Sequence, residues 1–472
     1  MTEARLENPL VQELEELERR ARSLSARDAV AEVEAFFDRH PEAHDDLAAA
    51  RPDIVGELDG APWQLRVRTN RARLERDRDV LRTRFGADGL PDQDRLRLNT
   101  LNRMLAPRIE VIYVPEIDDA GDPVLDDDGL ALPSRQLVEI DRQFLSVGST
   151  GDGRAVELYG NLSTAENVVY IVHGIGVTID DMPTQTSIAN NIHTAIQNGG
   201  ATPQERVNGR STRQETATLL YVYDGPNTFT ETVTAEVARR EGDLLARCMV
   251  GVDIQIRADA RTTAFSHSYG TRTLAEAIRD DRANVDRVIW SGSPGLGDDI
   301  HSIEDLNLRE GTLNFGLRAP YDPVSISEGH GRDPVDFEDV THLATVGDEP
   351  GDLPVKGHES FWRYGSETQK NIGRVGRGEP VTTTTTSLAD ETRIGPLSWG
   401  TPVRSITRPL GRAYRAAFEG TARAGGRPPA TGSLSVESTR PPMARGSGYR
   451  NPGLSSRGTD PRAGSGTVGS GL

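Results

Sequence analysis

The sequence predicts an α/β protein whose mostly parallel sheet is covered by helices on both faces. Short apolar runs alternate with helix-like segments through the second half of the chain, as in consecutive β-α units. One run, at residues 262–267, leads through a tight serine-containing turn directly into a helix pattern. The runs predict strands, with an antiparallel start to the sheet, near residues 109–114, 137–147, 154–161, 167–173, 218–223, 262–267, 287–291, 312–318 and 341–346.

Composition divides the chain into three parts. Residues 1–110 carry charged segments whose thin apolar stripes, which include Leu10 and Leu14, predict a helical appendage that depends on the rest of the chain for its core. Residues 111–380 contain most of the predicted strands and are expected to form the α/β domain. Residues 381–472 become low in complexity and rich in Gly, Ser, Pro and Arg, so we expect a largely disordered tail.

The serine turn, which reads FSHSYG at residues 265–270, has the form of a nucleophile elbow. In such a turn the residues flanking the serine must be small, and the hydroxyl is held at the C-terminal edge of the sheet over a helix N-terminus. Ser268 would be the nucleophile, and Ser266 stands where glycine is usual. The alternative is an ordinary strand-to-helix turn in which Ser268 caps the helix. The strand before the turn and the helix pattern after it favour the nucleophile.

A second buried strand, at residues 167–172, ends in the glycine-rich turn HGIGVT. Such a turn supplies one backbone N–H of an oxyanion hole, and the residue after the nucleophile supplies the other. We therefore predict that the oxyanion donors are the N–H of Tyr269 and one N–H of the glycine-rich turn, from Ile175 or Gly176. The candidates for the wall of the substrate pocket are His173, His267 and Asp224.

An acid and a histidine follow the elbow in the order Ser, Asp, His that this arrangement requires. Asp322 comes just after the predicted strand at 312–318 and would orient the histidine, although an aspartate before proline is also a common cap residue. His358 lies in a loop ahead of a helix pattern and would act as the general base.

Three other residues compete for these roles. Asp224 also follows a buried strand, but it precedes the nucleophile in the chain, so we expect it to shape the pocket or the turn. His342 lies within a predicted strand and is interpreted as a packed histidine. His330 lies in a flexible glycine-containing turn and is interpreted as a solvent-exposed loop residue.

Taken together, these motifs resemble those of an actinobacterial α/β-hydrolase domain family of uncharacterised function whose elbow reads Gly-His-Ser-Tyr-Gly. The resemblance spans roughly residues 55–380. It implies an α/β-hydrolase fold with a triad of Ser268, Asp322 and His358, and it implies nothing about the substrate. The matching segments are 58–62, 68–70, 221–226, 265–270, 290–295, 322–323 and 357–358.

These residues predict a serine hydrolase that cleaves an ester, thioester or related acyl bond in a small-molecule or lipid-like substrate. The alternative is a catalytically silent scaffold of the same fold that serves as a binding or interaction module. The intact order of the three triad residues favours the enzyme. No phosphate-binding loop and no zinc-ligand spacing occur in the sequence, so we expect no cofactor and no metal.

Charge and cysteine content limit the class of protein further. The formal net charge of −18 argues against nucleic acid as the main partner. Cys248 is the only cysteine, so an internal disulfide is impossible. The sequence contains no signal-like apolar segment and no run near the length of a membrane span, so we expect a cytoplasmic location.

Overall fold

The computed structural model describes residues 8–384, apart from gaps at 86–90, 149–152, 200–201, 211–212, 227–231, 233–234, 348–352 and 354. The helices are α1 (Pro9–Ala21), α2 (Ala26–Arg39), α3 (His44–Ala50), α4 (Pro52–Val55), α5 (Trp63–Phe85), α6 (Asp92–Leu105), α7 (Met182–Asn198), α8 (Pro203–Val207), α9 (Glu236–Asp253), α10 (Gly270–Ile278), α11 (Pro323–Ser327) and α12 (Glu367–Arg377). The strands are β1 (Arg108–Pro115), β2 (Pro133–Ile140), β3 (Gln143–Gly148), β4 (Arg154–Tyr159), β5 (Asn167–Val172), β6 (Thr216–Val222), β7 (Arg261–His267), β8 (Arg287–Ser291), β9 (Leu313–Leu317) and β10 (Thr341–His342).

Eight of these strands form one sheet in the order β10-β9-β8-β7-β5-β6-β4-β3. The six strands β5 to β10 are parallel to one another, whereas β4 pairs antiparallel with β6 and β3 antiparallel with β4. The prediction of a mostly parallel sheet with an antiparallel start is therefore confirmed. Every residue of β5 and β6 is buried, because helices cover both faces of the sheet.

The strand predicted at residues 137–147 is two strands, so that prediction is wrong. β2 pairs with β1 in a separate two-stranded antiparallel hairpin, and β3 belongs to the main sheet. The chain changes from one sheet to the other at Asp141 and Arg142, where the Arg142 side chain is buried against Glu157 of β4. Apolar periodicity cannot reveal such a break, because the residues on both sides of it favour an extended backbone.

Two apolar cores lie on opposite faces of the sheet. Helices α9 and α10 pack on one face, and α7 and α12 pack on the other. The N-terminal helices contribute to both: Val30 and Trp63 join the core beneath α9, and Leu101 and Met104 of α6 join the core beneath α7. A smaller third core lies among the N-terminal helices themselves, around Phe36 and neighbouring side chains.

Helix α5 runs along β3, the last strand at one edge of the sheet. Its buried Asn70 side chain donates hydrogen bonds to the backbone oxygens of Phe144, at 3.2 Å, and of Gly56, at 2.8 Å. An unprotected edge strand invites pairing with another chain, and a covering helix prevents this. The N-terminal helices therefore also protect the edge of the sheet.

The structure describes the first four residues of the predicted tail, 381–384. Residues 381–384 lie against the α/β domain, where the Thr382 N–H donates to the Asn371 side chain at 3.0 Å and its carbonyl accepts from the Ala344 N–H at 3.0 Å. The remaining part of the predicted tail, residues 385–472, lies outside the described residues.

None of the described helices is both long enough and apolar enough to cross a membrane.

The buried Arg142 side chain yields a stability prediction. It donates to both carboxylate oxygens of Glu157, at 2.7 and 2.6 Å, and also to the Arg103 carbonyl and the Thr186 hydroxyl. Arg142→Met should lower the free energy of unfolding by about 3–5 kcal/mol, because it leaves the Glu157 carboxylate buried without its partner. Urea denaturation of the full chain measures this.

The double variant Arg142→Met/Glu157→Met is the matched control. It removes both charges, so it should recover most of the lost stability. A double variant as unstable as Arg142→Met would contradict the assignment of the loss to an unpaired carboxylate.

Candidate active site

Ser268 lies in the turn between β7 and α10 with a backbone φ of 56°. This left-handed conformation is costly for a residue other than glycine, and strained residues of this kind concentrate at functional sites. The Ser268 N–H donates to the Ser291 carbonyl at 3.0 Å, which fixes the turn against the end of β8. Tyr269 occupies the N-cap position of α10, and no side chain caps this helix. The alternative role of Ser268 as the helix cap is therefore wrong.

Two glycines allow the turn after β5 to pass directly against the elbow. A methyl group on Gly270 would lie 2.3 Å from the backbone oxygen of His173, and one on Gly174 would lie 2.6 Å from the Ser268 Cβ. Ser266, which replaces the usual glycine, is accommodated because its hydroxyl donates to the Ile289 carbonyl at 3.3 Å. The turns after β5 and β7 are thus in contact at the C-terminal edge of the sheet.

Asp322 and His358 are brought together by two loops on the same edge. His358 Nδ1 lies 3.0 and 3.1 Å from the two carboxylate oxygens of Asp322. The Gly357 N–H donates to the Pro320 carbonyl at 2.8 Å, which joins the two loops next to this pair. Because a carboxylate can only accept, the Nδ1 atom carries the hydrogen, and the lone pair of His358 is on Nε2.

The Asp322 carboxylate is buried and nevertheless favours its ionised form. Burial disfavours the charge, but hydrogen bonds from His358, Ser325 and the Val324 N–H outweigh that effect and lower the pKa of Asp322 below its usual range. Asp322 also caps α11 through the Val324 N–H, at 2.9 Å. The cap role that the sequence offered as an alternative is therefore present together with the contact to His358.

Ser268 and His358 line the same cavity, which has a volume of about 400 Å³. Among the described residues of its wall, Glu359 is the only carboxylate, and there is no lysine or arginine. The described part of the wall therefore offers no lysine or arginine to an anionic ligand. Its apolar side chains are Ile171, Val172, Ile175, Val177, Ile188, Phe265, Pro294, Pro323, Val324 and Trp362.

The predicted oxyanion donors differ in their positions. Tyr269 and Ile175 both line the cavity beside Ser268. Gly176 does not line it, and its N–H donates to the Pro226 carbonyl at 2.9 Å. The prediction of Gly176 as a donor is therefore wrong, because the glycine-rich turn folds back on the segment after β6 and uses that N–H for its own structure.

Both histidines proposed for the pocket wall, His173 and His267, are buried and line the cavity. The His173 ring stacks on Tyr223 at a centroid distance of 4.7 Å, and the His267 ring lies 4.4 Å from the His358 ring. Burial lowers the pKa of His173 to about 4 and, with the nearby His358, that of His267 to about 3. Both rings are therefore neutral near pH 7.

The prediction of Asp224 as a pocket residue is wrong. Its side chain is exposed and does not line the cavity, and its backbone carbonyl accepts a hydrogen bond from Arg240 at 2.9 Å. The chain turns outward at Asp224 after the buried Tyr223, whose hydroxyl donates to the His173 carbonyl at 3.0 Å.

His330 is a cavity residue that the sequence did not indicate. Its turn predicts an exposed loop residue, but His330 is 4% exposed, and Arg272 of α10 donates to its Nδ1 at 3.0 Å. Its loop packs against the loop after β8, where the His330 N–H donates to the Pro294 carbonyl at 2.9 Å. The flanking glycines suggested a free turn, and nothing local reveals the tertiary contact. His342 lies in β10, outside the cavity wall.

A family model described as "Alpha/beta hydrolase" matches residues 149–326. The matched span contains the elbow and Asp322, whereas His358 lies beyond it. Together with the topology of the sheet, this match identifies the architecture. The chain has an α/β-hydrolase fold.

Two curated relatives come from strains of Mycobacterium tuberculosis. They are the uncharacterised proteins Rv2079 and MT2140, each 25% identical over 257 residues, an alignment that covers 48% of this chain and 37% of the relative. The similarity thus spans little more than a third of the length of these relatives.

Solved structures similar to this chain include two esterases. One is a hyperthermophilic esterase from Pyrobaculum calidifontis, with 13% identity over 71% of this chain and 95% of the other, and a TM-score of 0.28. The other is a carboxylesterase from Mesorhizobium loti, with 12% identity over 44% and 92%, and a TM-score of 0.26. Values this low carry no information about the substrate.

The close approach of the two turns predicts that Gly270→Ala destabilises the protein. The new methyl group would overlap the backbone oxygens of His173 and Val172, which cannot move without distorting β5. We expect a loss of about 1–3 kcal/mol or more in the free energy of unfolding, measured by urea denaturation.

Gly329→Ala is the matched control, because a methyl group there meets only the Ser327 hydroxyl oxygen, at an ordinary 3.7 Å. It should unfold like the wild type. Equal stability of Gly270→Ala and the wild type would show that the two turns are not in the described contact.

Proposed function

We propose that this protein is a serine hydrolase that cleaves an ester, thioester or related acyl bond. The observation that carries the proposal is the position of Ser268, held at φ 56° at the wall of a cavity that it shares with His358. The hydrogen bond from His358 Nδ1 to Asp322 supports it, because this leaves the Nε2 lone pair of the imidazole as the base.

In the proposed reaction the Ser268 Oγ attacks the substrate carbonyl carbon while His358 Nε2 accepts the hydroxyl proton. Asp322 holds the imidazole in the required tautomer and stabilises its positive charge. The backbone N–H groups of Tyr269 and Ile175 donate to the oxyanion. The leaving alcohol or thiol takes the proton from Nε2. Water then attacks the carbonyl carbon of the acyl-enzyme while Nε2 accepts a proton from the water, and that proton returns to Ser268 Oγ as the acid is released.

The composition of the cavity wall bears on the substrate class. The described part of the wall offers ten apolar side chains and no lysine or arginine around a volume of about 400 Å³, which suits an uncharged acyl group and disfavours one that carries a carboxylate. We therefore propose a neutral, lipid-like or small-molecule ester or thioester as the substrate.

Variants of the three residues test the triad. Ser268→Ala should abolish labelling by a fluorophosphonate probe, because the probe needs the Oγ nucleophile. His358→Ala and Asp322→Asn should each lower the hydrolysis of p-nitrophenyl esters by about 10³–10⁴-fold, through loss of the base and of its correct tautomer. Mass spectrometry detects the labelling by the probe. The turnover of p-nitrophenyl esters is measured across a series of acyl chain lengths.

Ser23→Ala and His301→Ala are matched controls, since both residues are exposed and lie outside the cavity wall. They should be labelled and turn over like the wild type. If the wild type resists the probe and cleaves no ester in the series, the enzyme proposal fails and the binding-module alternative takes its place.

A further inference from the structure

Three side chains next to the catalytic cavity form a set that can ligate a metal ion. One ring nitrogen of His267, one of His358 and one carboxylate oxygen of Glu359 all lie within 4.8 Å of one another. The three residues come from two separate segments, the end of β7 and the loop before α12. His267 is buried, His358 is half-buried and Glu359 is exposed, so the cluster runs from the protein interior to its surface.

The hydrogen bonds of both histidines leave one ring nitrogen of each with a lone pair. His358 donates from Nδ1 to Asp322, and His267 Nε2 lies 2.8 Å from the backbone oxygen of His358. Because carboxylate and carbonyl oxygens only accept, both of these nitrogens carry hydrogen. The lone pairs are therefore on His358 Nε2 and His267 Nδ1. Histidines that bind metals usually donate their other N–H to a carboxylate or a backbone carbonyl in this way.

The donor set selects the kind of ion. Two imidazoles and one carboxylate are a common set for Zn²⁺, at distances of about 2.0–2.2 Å, with a fourth position left for water. Mg²⁺ and Ca²⁺ prefer oxygen ligands and octahedral or larger coordination. Glu359 can approach the two imidazoles on binding, because its side chain is exposed.

We propose that Zn²⁺ binds to His267, His358 and Glu359 and inhibits the enzyme. The inhibitory part of this inference rests on the proposed function, in which His358 Nε2 accepts the Ser268 proton. A zinc ion that is bound to the same lone pair prevents that transfer, so metal binding and general-base catalysis exclude each other. Zn²⁺ forms coordination bonds with the three side chains, and no covalent bond in the protein is made or broken.

The sequence carries no signal for this site, because His267 lies 91 residues before His358 and Glu359 follows His358 directly. The fold unites them: the elbow and the loop before α12 meet at the C-terminal edge of the sheet, where the His267 and His358 rings pack at a centroid distance of 4.4 Å.

The test uses the full-length wild type, Glu359→Gln and the matched control Glu338→Gln, an exposed glutamate outside the cavity wall. Calorimetry with ZnCl₂ measures binding, and ester turnover relative to each variant's own metal-free rate measures inhibition. Zinc should bind the wild type and Glu338→Gln equally and inhibit both. Glu359→Gln loses one ligand, so its zinc affinity and its sensitivity to inhibition by zinc should each fall by about tenfold or more. MgCl₂ at the same concentration should neither bind at this site nor inhibit ester turnover.

Several results would overturn the inference: no binding of zinc to the wild type, equal zinc affinity in Glu359→Gln, equal effects of magnesium, or turnover that zinc leaves unchanged or increases. Failure of the proposed function looks different. In that case the metal-free wild type cleaves no ester, whereas calorimetry on the same three proteins still decides whether zinc binds at this site.

Discussion

The candidate site depends on the direct contact between two backbone turns at the C-terminal edge of β5 and β7. Gly174 and Gly270 have no side chain to separate these turns, and Ser268 adopts a left-handed φ of 56° between them. The surrounding structure compensates for this strain with hydrogen bonds and buried apolar packing. As a result, Ser268, Tyr269 and Ile175 line the same cavity.

The acid and the histidine depend on a second set of loops, which follow β8, β9 and β10. Asp322 has two structural roles there, because it caps α11 and receives the His358 N–H. A methyl group on Gly292, in the loop after β8, would lie 3.1 Å from Asp322 and 3.2 Å from His358. This loop therefore packs closely against the pair, and the orientation of the imidazole is coupled to the packing of three loops.

The sequence predicted those features that local pattern encodes. The alternation of apolar runs and helix patterns predicted a mostly parallel sheet with an antiparallel start, and the small residues around Ser268 predicted the turn. The errors have a different origin. The N–H of Gly176, the outward turn at Asp224 and the burial of His330 all depend on contacts with distant segments, at Pro226, Arg240 and Arg272. No periodicity or spacing in one sequence carries that information.

The packing of the N-terminal helices and the metal-ligating cluster also depend on contacts between distant segments. The apolar stripes of the charged helices predict that these helices pack against the α/β domain. Val30, Trp63, Leu101 and Met104 belong to its two cores. The extent of that sharing follows from tertiary packing rather than from the amphipathic stripe alone. Likewise, the cluster at His267 and His358 exists only because the loops of the sheet edge converge.

The most direct test of this account is a crystal structure of the protein after reaction with a p-nitrophenyl phosphonate ester. The account predicts phosphorus bound to Ser268 Oγ, with the phosphoryl oxygen within about 3.2 Å of the backbone nitrogens of Tyr269 and Ile175. A phosphonate attached to another residue, or one on Ser268 whose phosphoryl oxygen faces neither nitrogen, would contradict it.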